Sequence, residues 1–395
     1  MNKSQHKETT RICPGCKKSK TFPDRNDTCS RACASKMRAQ DKEALDPVQE
    51  HRLKIENKEL RQQLTDALDA QVFNQRYQDF VAAADARKII VPRWVLNIPV
   101  KGSKEVMPTV SASDWHLDEV VKPELVMHQN GFNRDIAAKY RVPNFFNNTV
   151  DIGFKFLSGF RFPGIIMPWI GDMFSGNIHE ELRNTNADVV LSSLLYWVGP
   201  MVAGLKHLAD AYGKVYVPVV VGNHGRNTMK PIHKNRVRDN FDWLFAQIVA
   251  RELSGDSRIT FAISESPDFA YSVYNTSYHL THGDQAKGGS GIAAQLSPLM
   301  IMVARKMKRF KFDYLVCGHW HRLSSFMKVR CNGSLVGYNE YAFNGNFEYE
   351  PPLQDYWLTD PKHGVVGSFP VHVQSSQEPW LLQAKAVSPV TFKAA

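Results

Sequence analysis

The stretch "DYLVCGHWHR", residues 313–322, places two histidines at the end of an apolar run. Residues i and i+2 of an extended strand point to the same side. The imidazoles of His319 and His321 therefore leave the end of the strand facing one volume. A polar turn with incidental histidines is the alternative for this stretch alone. The stretch predicts a binding site only if other strand ends bring matching ligands to the same place.

Four further apolar runs end in side chains of the types that bind metals. From residue 88 onward, such runs alternate with longer helical patterns, which predicts an α/β domain. The four runs are "MPTVSASDWH", "GIIMPWIGD", "KVYVPVVVGNH" and "SYHLTHGD". Their final side chains are Asp114 and His116, Asp172, Asn223 and His224, and His282 and Asp284. Because α/β folds place chemistry on the loops that follow their strands, we expect these ends to meet.

The ordered set D-x-H, G-D, G-N-H, H-G-D and G-H-x-H resembles the calcineurin-like metallophosphoesterase family over residues 105–345. The stretches "SDWHLDEVV", "GDMFSGNIHEEL" and "GNHGRNTMK" look most like phage-encoded phosphoesterases grouped with DNA-repair exonucleases. The resemblance implies an α/β (α+β) fold in which two packed β-sheets form a sandwich flanked by helices. It also implies a dinuclear metal centre at the strand ends.

The resemblance, carried over residue by residue, implies the ligands of two divalent ions. The ligands of one ion would be Asp114, His116 and His321. The ligands of the other would be Asn223, His282 and His319, and Asp172 would bridge the two ions. This mixed oxygen and nitrogen set suits Mn²⁺, our first expectation, and equally Fe, Zn²⁺ or Ni²⁺. Two ions about 3.5–4 Å apart can acidify a shared water and stabilise charge on phosphoryl oxygens.

His224 directly follows Asn223 and is a candidate general acid for the leaving oxygen of a phosphate ester. Members of the family commonly carry an acidic residue after this histidine, whereas this chain has Gly225 and then Arg226. The orientation of His224 is therefore an open question. We take Arg226 as a second catalytic candidate because it stands next to the predicted ligands.

Basic residues near the predicted site are candidates for holding substrate phosphate. Arg226, Lys230 and Lys287 are assigned this role. For Arg236 and Arg238 a solvated basic surface is the preferred interpretation. The aromatic stretch "YNEYAFNGNFEYEPP", which starts at residue 338, predicts either a substrate wall that stacks bases or a cover for the core.

The first forty residues carry most of the net charge of the chain. Residues 1–40 contain ten Lys or Arg and three acids, an excess of seven in a chain whose net charge is +10. Such a segment favours a polyanionic partner, with nucleic acid first and DNA as our expectation. A solubilising terminus is the alternative.

Four of the six cysteines lie close together in the same segment. Cys13 and Cys16 form C-x2-C, and Cys29 and Cys33 form C-x3-C after a twelve-residue gap. Such pairs predict a structural Zn²⁺ that holds a segment too short for its own core. Disulfides are the alternative, but the chain lacks secretory features. A protein rather than DNA is the alternative partner of this zinc module.

Residues 41–88 are rich in helix formers, and Leu53, Leu60 and Ala67 recur every seven residues. This helix would either pair two chains through residues 50–72 or lie on the main domain. The predicted organisation has four parts. These are the zinc module 1–40, the helical linker 41–88, the metallophosphoesterase domain 89–360 and a C-terminal extension 361–395.

The chain is predicted to be cytoplasmic and to have no membrane contact. Its amino end is polar and has no apolar core of a signal peptide. The uncharged run 189–205 contains Pro200 and two serines, and we interpret it as a buried helix rather than a membrane span. If the chain is phage-encoded, its place is the host cytoplasm.

The leading functional hypothesis is a dinuclear-metal-dependent phosphodiesterase that acts on nucleic acid, specifically a DNA nuclease or exonuclease. One alternative is a phosphatase or phosphodiesterase for phosphoproteins or small nucleotides, since a fold family alone does not choose the substrate. The other is a non-catalytic scaffold in a DNA-processing or virion complex, for which the missing acid after His224 is the argument.

Overall fold

The structure is a computed structural model that describes residues 9–13, 18–22, 32–33, 35–36, 46–100, 102–287 and 295–386. The chain divides into two compact units, residues 1–86 and 87–395. The first unit contains a hairpin of β1 (Thr9–Ile12) and β2 (Ser19–Phe22), followed by the 39-residue helix α1 (Pro47–Asp85).

The zinc module is described only in part. Cys13 is buried and follows β1, and its amide donates to the carbonyl oxygen of Lys18 at 2.9 Å. Cys33 is half-buried, whereas Cys16 and Cys29 lie outside the described residues. The four-cysteine zinc site therefore stays a prediction.

Helix α1 covers most of the predicted linker. Asp46 caps it by accepting the amide of Val48 at 3.2 Å, and Pro47 is at its first position, where its missing N–H costs nothing. The seam leucines Leu53 and Leu60 are 44% and 55% exposed. Pairing of two chains through residues 50–72 stays a prediction.

The second unit contains a six-stranded mixed sheet. Its strands are β3 (Met107–Val110), β4 (Ile165–Ile166), β5 (Val215–Val219), β6 (Ile259–Ile263), β12 (Leu353–Asp360) and β13 (Gly364–His372). The order is β13-β12-β3-β4-β5-β6. Strands β3 to β6 are parallel, and β12 pairs antiparallel with both β3 and β13.

A five-stranded mixed sheet forms the other layer. Its strands are β7 (Asp268–Val273), β8 (Thr276–Thr281), β9 (Tyr314–Cys317), β10 (Ser324–Phe326) and β11 (Val329–Cys331). The order is β10-β11-β9-β8-β7, with β8, β9 and β11 parallel. Cys317 and Cys331 end two of these neighbouring strands and are buried.

The two sheets pack face to face through aromatic side chains. Tyr216 and Trp357 of the six-stranded sheet share one buried cluster with Tyr271 and Tyr278 of the other. The rings of Tyr278 and Trp357 lie 6.0 Å apart, and the Trp357 Nε1–H donates to the Tyr278 hydroxyl at 3.3 Å. This packing of two mixed sheets confirms the predicted two-sheet α/β architecture.

Helices cover the sheets, as the resemblance implies. They are α2 (Arg93–Leu96), α3 (Arg134–Ile136), α4 (Val142–Asp151), α5 (Glu180–Thr185), α6 (Val190–Tyr212), α7 (Phe241–Glu252), α8 (Leu296–Met307), α9 (Glu340–Asn344) and α10 (Pro379–Ala386). A 3₁₀ turn spans Pro123–Val126, and π-helical turns Ala137–Arg141 and Ile152–Phe156 flank α4.

The uncharged run 189–205 forms the first part of α6. Leu194, Trp197 and Met201 are buried on one face, whereas Leu191 and Leu195 on the other are 55% and 66% exposed. The predicted buried helix is therefore amphipathic rather than buried all round. Among the described residues, none of the helices has the length and apolarity to cross a membrane.

Residues beyond the boundary predicted at residue 360 pair and pack with the chain before it, and the predicted four-part organisation stays a prediction. Strand β13 pairs with β12 along its whole length. Further on, Glu378 is fully buried and forms an ion pair with the equally buried Arg141 at 3.0 Å. Arg141 also donates to the carbonyl oxygens of Leu335 and Val336 at 3.0 and 2.6 Å. Residues 361–386 therefore hold the domain together instead of extending it.

We expect the Arg141→Met variant to lose about 3–5 kcal/mol of unfolding free energy, because Glu378 would remain as a buried charge without its partner. Lys139→Met is the matched control, since Lys139 is exposed and its ion pair with Asp135 at 3.7 Å is on the surface. That control should change stability by under about 1 kcal/mol. Urea unfolding of both variants is the measurement, and equal midpoints would contradict the structural role of Arg141.

Candidate metal centre

The predicted ligands lie on the short loops that follow the strands, and their backbone is unusual. Eleven non-glycine residues in the described part of the chain have φ between 47° and 72°. Five of them are predicted ligands: Asp114, His116, Asp172, His319 and His321. Left-handed backbone costs of order 1–3 kcal/mol at a non-glycine residue and concentrates at functional sites. The sequence pattern contained no signal for this strain.

This backbone corrects the argument from strand geometry for residues 313–322. Strand β9 ends at Cys317, and both His319 (φ 72°) and His321 (φ 52°) are left-handed rather than extended. The two histidines therefore do not project as neighbours on one face of a strand. They belong to two different ligand groups.

The first group brings together Asp114, His116 and His321, whose ligand atoms lie within 4.8 Å of one another. The Nε2 atoms of His116 and His321 are 3.1 Å apart, and His321 Nε2 is 3.4 Å from Asp114 Oδ1. Asp114 is fully buried, and His116 is 2% exposed. The group is thus a compact set of nitrogen and oxygen atoms that is buried at Asp114 and His116 and partly exposed at His321, whose side chain is 30% exposed.

The second group brings together Asp172, His282 and His319 by the same criterion. His282 Nε2 is 2.8 Å from Asp172 Oδ2 and 3.0 Å from the side-chain oxygen of Asn223, which adds the fourth predicted ligand. The groups adjoin, since Asp114 accepts the amide of His319 at 2.9 Å and the amide of His116 donates to the backbone oxygen of Asp172 at 3.2 Å. Bridging of two ions by Asp172 stays a prediction.

The hydrogen bonds of His282 show that a cation fits the second group. Its Nδ1 lies 2.7 Å from the carbonyl oxygen of Ile170, which can only accept, so Nδ1 carries the proton. In the neutral ring Nε2 then presents a lone pair to the oxygens of Asp172 and Asn223. The lone pairs of this nitrogen and of the two oxygens face one another and repel. A cation shared by the three atoms removes the repulsion.

The first group fits a cation for the same reason. Ser175 donates its one hydroxyl proton to Glu119 at 3.0 Å, so its oxygen accepts from His116 Nδ1 at 2.9 Å. The Nε2 lone pair of His116 therefore points at His321. Asn339 donates to Glu119 at 2.8 Å and completes the chain. Such outer partners orient metal-binding histidines and raise their basicity.

A proton competes with a metal for these histidines. Burial lowers the pKa of His282 but the Asp172 carboxylate raises it, and the result is a pKa of about 10. Burial, with His282 nearby, lowers the pKa of His319 to about 4, and burial together with His321 lowers the pKa of His116. The last two imidazoles are therefore neutral at pH 7, the state that binds metal.

Asp242, which no motif indicated, holds the two central loops in place. Its carboxylate accepts the amides of Asp172, Met173 and Gly222 at 3.0, 3.1 and 2.9 Å. These amides belong to the loops that carry Asp172 and Asn223. The sequence contains no signal for this contact, because Asp242 lies 70 positions after Asp172. For Glu119 the sequence contained a weak indication, because an acid three residues after a predicted histidine ligand can reach that histidine.

A backbone carbonyl takes the place of the missing acid beside His224. His224 Nδ1 lies 2.9 Å from the carbonyl oxygen of Ser175, and the amide of His224 donates to Asp172 Oδ1 at 2.7 Å. The carbonyl oxygen only accepts, so Nδ1 keeps its proton and Nε2 is the atom that exchanges one. The ring lies 4.9 Å from that of His116, beside the first group.

Arg226 is engaged by the backbone around it. It donates to the carbonyl oxygens of Asn223, Thr228 and Met229 at 3.0, 2.8 and 2.9 Å. Three of its five N–H groups therefore shape the loop after His224, and two are left for a substrate. Its catalytic and phosphate-binding roles stay predictions.

The other two residues predicted to bind substrate phosphate are on the surface. Arg236, by contrast, is less exposed than the sequence led us to expect. Lys230 and Lys287 are exposed. Arg236, interpreted from the sequence as a solvated residue, is 21% exposed and forms a bidentate pair with Asp284 at 2.8 Å to each oxygen. This pair joins the basic loop 225–240 to the loop of His282. Arg238 pairs with Glu265 at the surface, as a solvated residue would.

Comparisons with known proteins show little. No protein-family model and no curated sequence matches the chain. Vps29 from Entamoeba histolytica, solved with Zn²⁺, is 13% identical and aligns over 67% of this chain and 100% of its own, with a TM-score of 0.28. A predicted phosphoesterase from Streptococcus pneumoniae is 11% identical and aligns over 67% and 98%, with a TM-score of 0.25. Likenesses at this level carry no argument about the chain.

We expect Gly318→Ala to weaken binding of a divalent ion in the first group by about 10–100-fold, the usual range for displaced metal surroundings. A Cβ at this position would stand 2.2 Å from Asp114 Oδ2 and 2.5 Å from Ser113 Oγ. Gly199→Ala in α6 is the control, because a Cβ there meets nothing within 4 Å. Titration with Mn²⁺, followed by metal analysis and thermal melting, is the measurement. Unchanged metal affinity in Gly318→Ala would contradict the assigned first group.

Proposed function

We propose that this chain is a metal-dependent phosphoesterase that hydrolyses phosphodiester bonds in nucleic acid, with DNA as its substrate. The observation that carries the proposal is the pair of adjoining ligand groups, whose buried lone pairs converge as they would around two cations. Their donors are imidazole nitrogens with carboxylate and amide oxygens, a set that suits Mn²⁺, Fe, Zn²⁺ or Ni²⁺.

Two ions in these groups would supply the Lewis acidity that activates water and stabilises charge on the phosphoryl oxygens. Asp114, His116 and His321 would hold one, and Asn223, His282 and His319 the other, with Asp172 between them. Asp242 and Glu119 keep these side chains in position through the hydrogen bonds described above. Such support from neighbouring side chains is what a metal centre requires of its protein.

His224 supplies the proton that the reaction needs at the leaving group. The oxygen of water bonds to phosphorus, the bond from phosphorus to the leaving oxygen breaks, and protonated His224 donates its Nε2 proton to that oxygen, while the proton released by water passes to solvent. Throughout, Nδ1–H stays bonded to the carbonyl oxygen of Ser175. The carbonyl therefore orients the ring as the missing acid would, without changing the net charge of the site.

Charge outside the site supports a polyanionic substrate. The loop 225–240 exposes Lys230 and Lys234, and Arg236 with Asp284 joins this loop to the second group. The first forty residues contain an excess of seven positive charges. Both features favour an anionic chain over a small phosphate ester.

Hydrolysis assays test the proposed function directly. We expect turnover of single-stranded DNA and of a small phosphodiester when Mn²⁺ is added, and loss of turnover in Asp172→Asn. A phosphopeptide should be a poor substrate. If the protein hydrolysed only the phosphopeptide, its activity would be that of a phosphatase and not of a nuclease. A metal-loaded protein that cleaves none of these substrates would favour a scaffold.

We expect His224→Ala to lower kcat by ~10²–10⁴ with unchanged metal content, because a positioned acid contributes about that factor. The loss should shrink for an ester with an activated leaving group, which needs little protonation. His207→Ala, at an exposed position of α6, is the control. Equal losses on activated and ordinary esters would contradict the acid role, and loss of metal would make His224 structural.

A further inference from the structure

An aromatic cluster lies on residues 338–349, called the aromatic arch below. Tyr338 is 8% exposed and forms its base, with the ring of Tyr349 at 5.5 Å. Tyr341 and Phe347 form its outer face, with ring centroids 5.6 Å apart, and are 76% and 52% exposed. The sequence left open whether these aromatics cover the core. The outer pair does not, because both rings face solvent.

The first end of the aromatic arch is bonded to the loop that follows His116. Asn339 donates to Glu119 at 2.8 Å, and Glu119 Oε2 lies 3.7 Å from His116 Nδ1. The next residue, Glu340, accepts the amide of Lys122 at 3.0 Å. Tyr341 follows directly, so one outer ring starts from a segment fixed beside the first ligand group.

The second end is bonded to the loop that follows His321. Glu348 pairs with Arg322, the residue after this ligand. Glu350 accepts the amide of Leu323 at 2.8 Å. Phe347 directly precedes Glu348, so the second outer ring is also fixed beside the first ligand group. The aromatic arch thus connects the loops of two ligands of the same group.

The acids at the aromatic arch and directly after it are engaged by these anchors. Glu340 and Glu350 accept backbone amides, and Glu348 pairs with an arginine. Beyond these anchors, the outer face offers a ligand the exposed ring surfaces of Tyr341 and Phe347, whose planes are inclined at 66°, and the Tyr341 hydroxyl. The lysines of loop 225–240 belong to the side of the second group. Ring faces together with a basic segment are the combination that binds single-stranded nucleic acid.

We propose that Tyr341 and Phe347 form a stacking platform for an unpaired nucleobase of the substrate, next to the phosphate that is cleaved. The site would then act on single-stranded DNA or frayed strand ends rather than on closed duplex. This inference rests on the proposed function, which it deepens by naming the form of the substrate. Stacking on aromatic rings tolerates any base, so the platform selects strand form and not sequence.

Two esters with the same leaving group isolate the platform. Thymidine 5′-(p-nitrophenyl phosphate) carries a base, and methyl p-nitrophenyl phosphate carries a methyl group instead. In the double variant Tyr341→Ala/Phe347→Ala we expect KM for the thymidine ester to rise about 5- to 100-fold, the range that base–aromatic stacking supports. The methyl ester should be hydrolysed as in the wild type.

Two further variants separate ring stacking from loss of packing. Tyr341→Leu/Phe347→Leu keeps apolar volume but removes the ring faces, and it should behave like the alanine pair. Phe156→Ala removes a comparably exposed ring, 74% exposed, and should change neither ester. If the double variant loses hydrolysis of both esters equally, or if hydrolysis of neither ester changes, the proposed stacking platform is wrong.

A binding measurement separates this proposal from the proposed function. Fluorescence anisotropy of a labelled oligothymidylate should show weaker binding to the double variant than to the wild type, with and without hydrolysis. If the wild type cleaves no ester but this difference appears, the proposed function fails and the platform stands. If both proteins cleave DNA and bind the oligonucleotide equally, the platform fails and the proposed function stands.

Discussion

Buried lone pairs that face one another are the constraint on which the rest of this structure depends. His282 shows it most directly, since a carbonyl oxygen accepts the proton on its Nδ1 and its Nε2 is 2.8 Å from a carboxylate oxygen. In a medium from which water is excluded, such a contact is unfavourable unless a cation or a proton occupies it.

Holding these atoms together requires backbone that is itself unfavourable. Five of the ligands are left-handed, and two packed sheets provide the rigidity that keeps them so. Asp242 contributes by collecting three amides from two neighbouring loops. The strain and its support explain why the strands end early: β9 stops at Cys317, and the histidines lie on the loop beyond it.

The surroundings of the metal centre divide into two sides with different chemistry. Around the second group, Arg236 and Asp284 fix a basic loop, and Arg226 shapes that loop by binding its carbonyl oxygens. Around the first group, glutamates fix an aromatic segment by accepting backbone amides. The proposed single-stranded nucleic acid substrate rests on this division.

Local pattern was enough to predict the α/β class and the residues at the ends of five apolar runs, because burial and strand ends leave periodic traces in a chain. The two packed sheets were implied by the family resemblance. Local pattern failed for the left-handed histidines and for the half-buried Arg236. It also could not show what replaces the acid after His224. Those features depend on contacts such as Asn339 with Glu119, 220 positions apart, and Asp242 with Asp172, 70 apart. Contacts between residues so far apart leave no periodic pattern in the sequence. They become visible only in the folded structure.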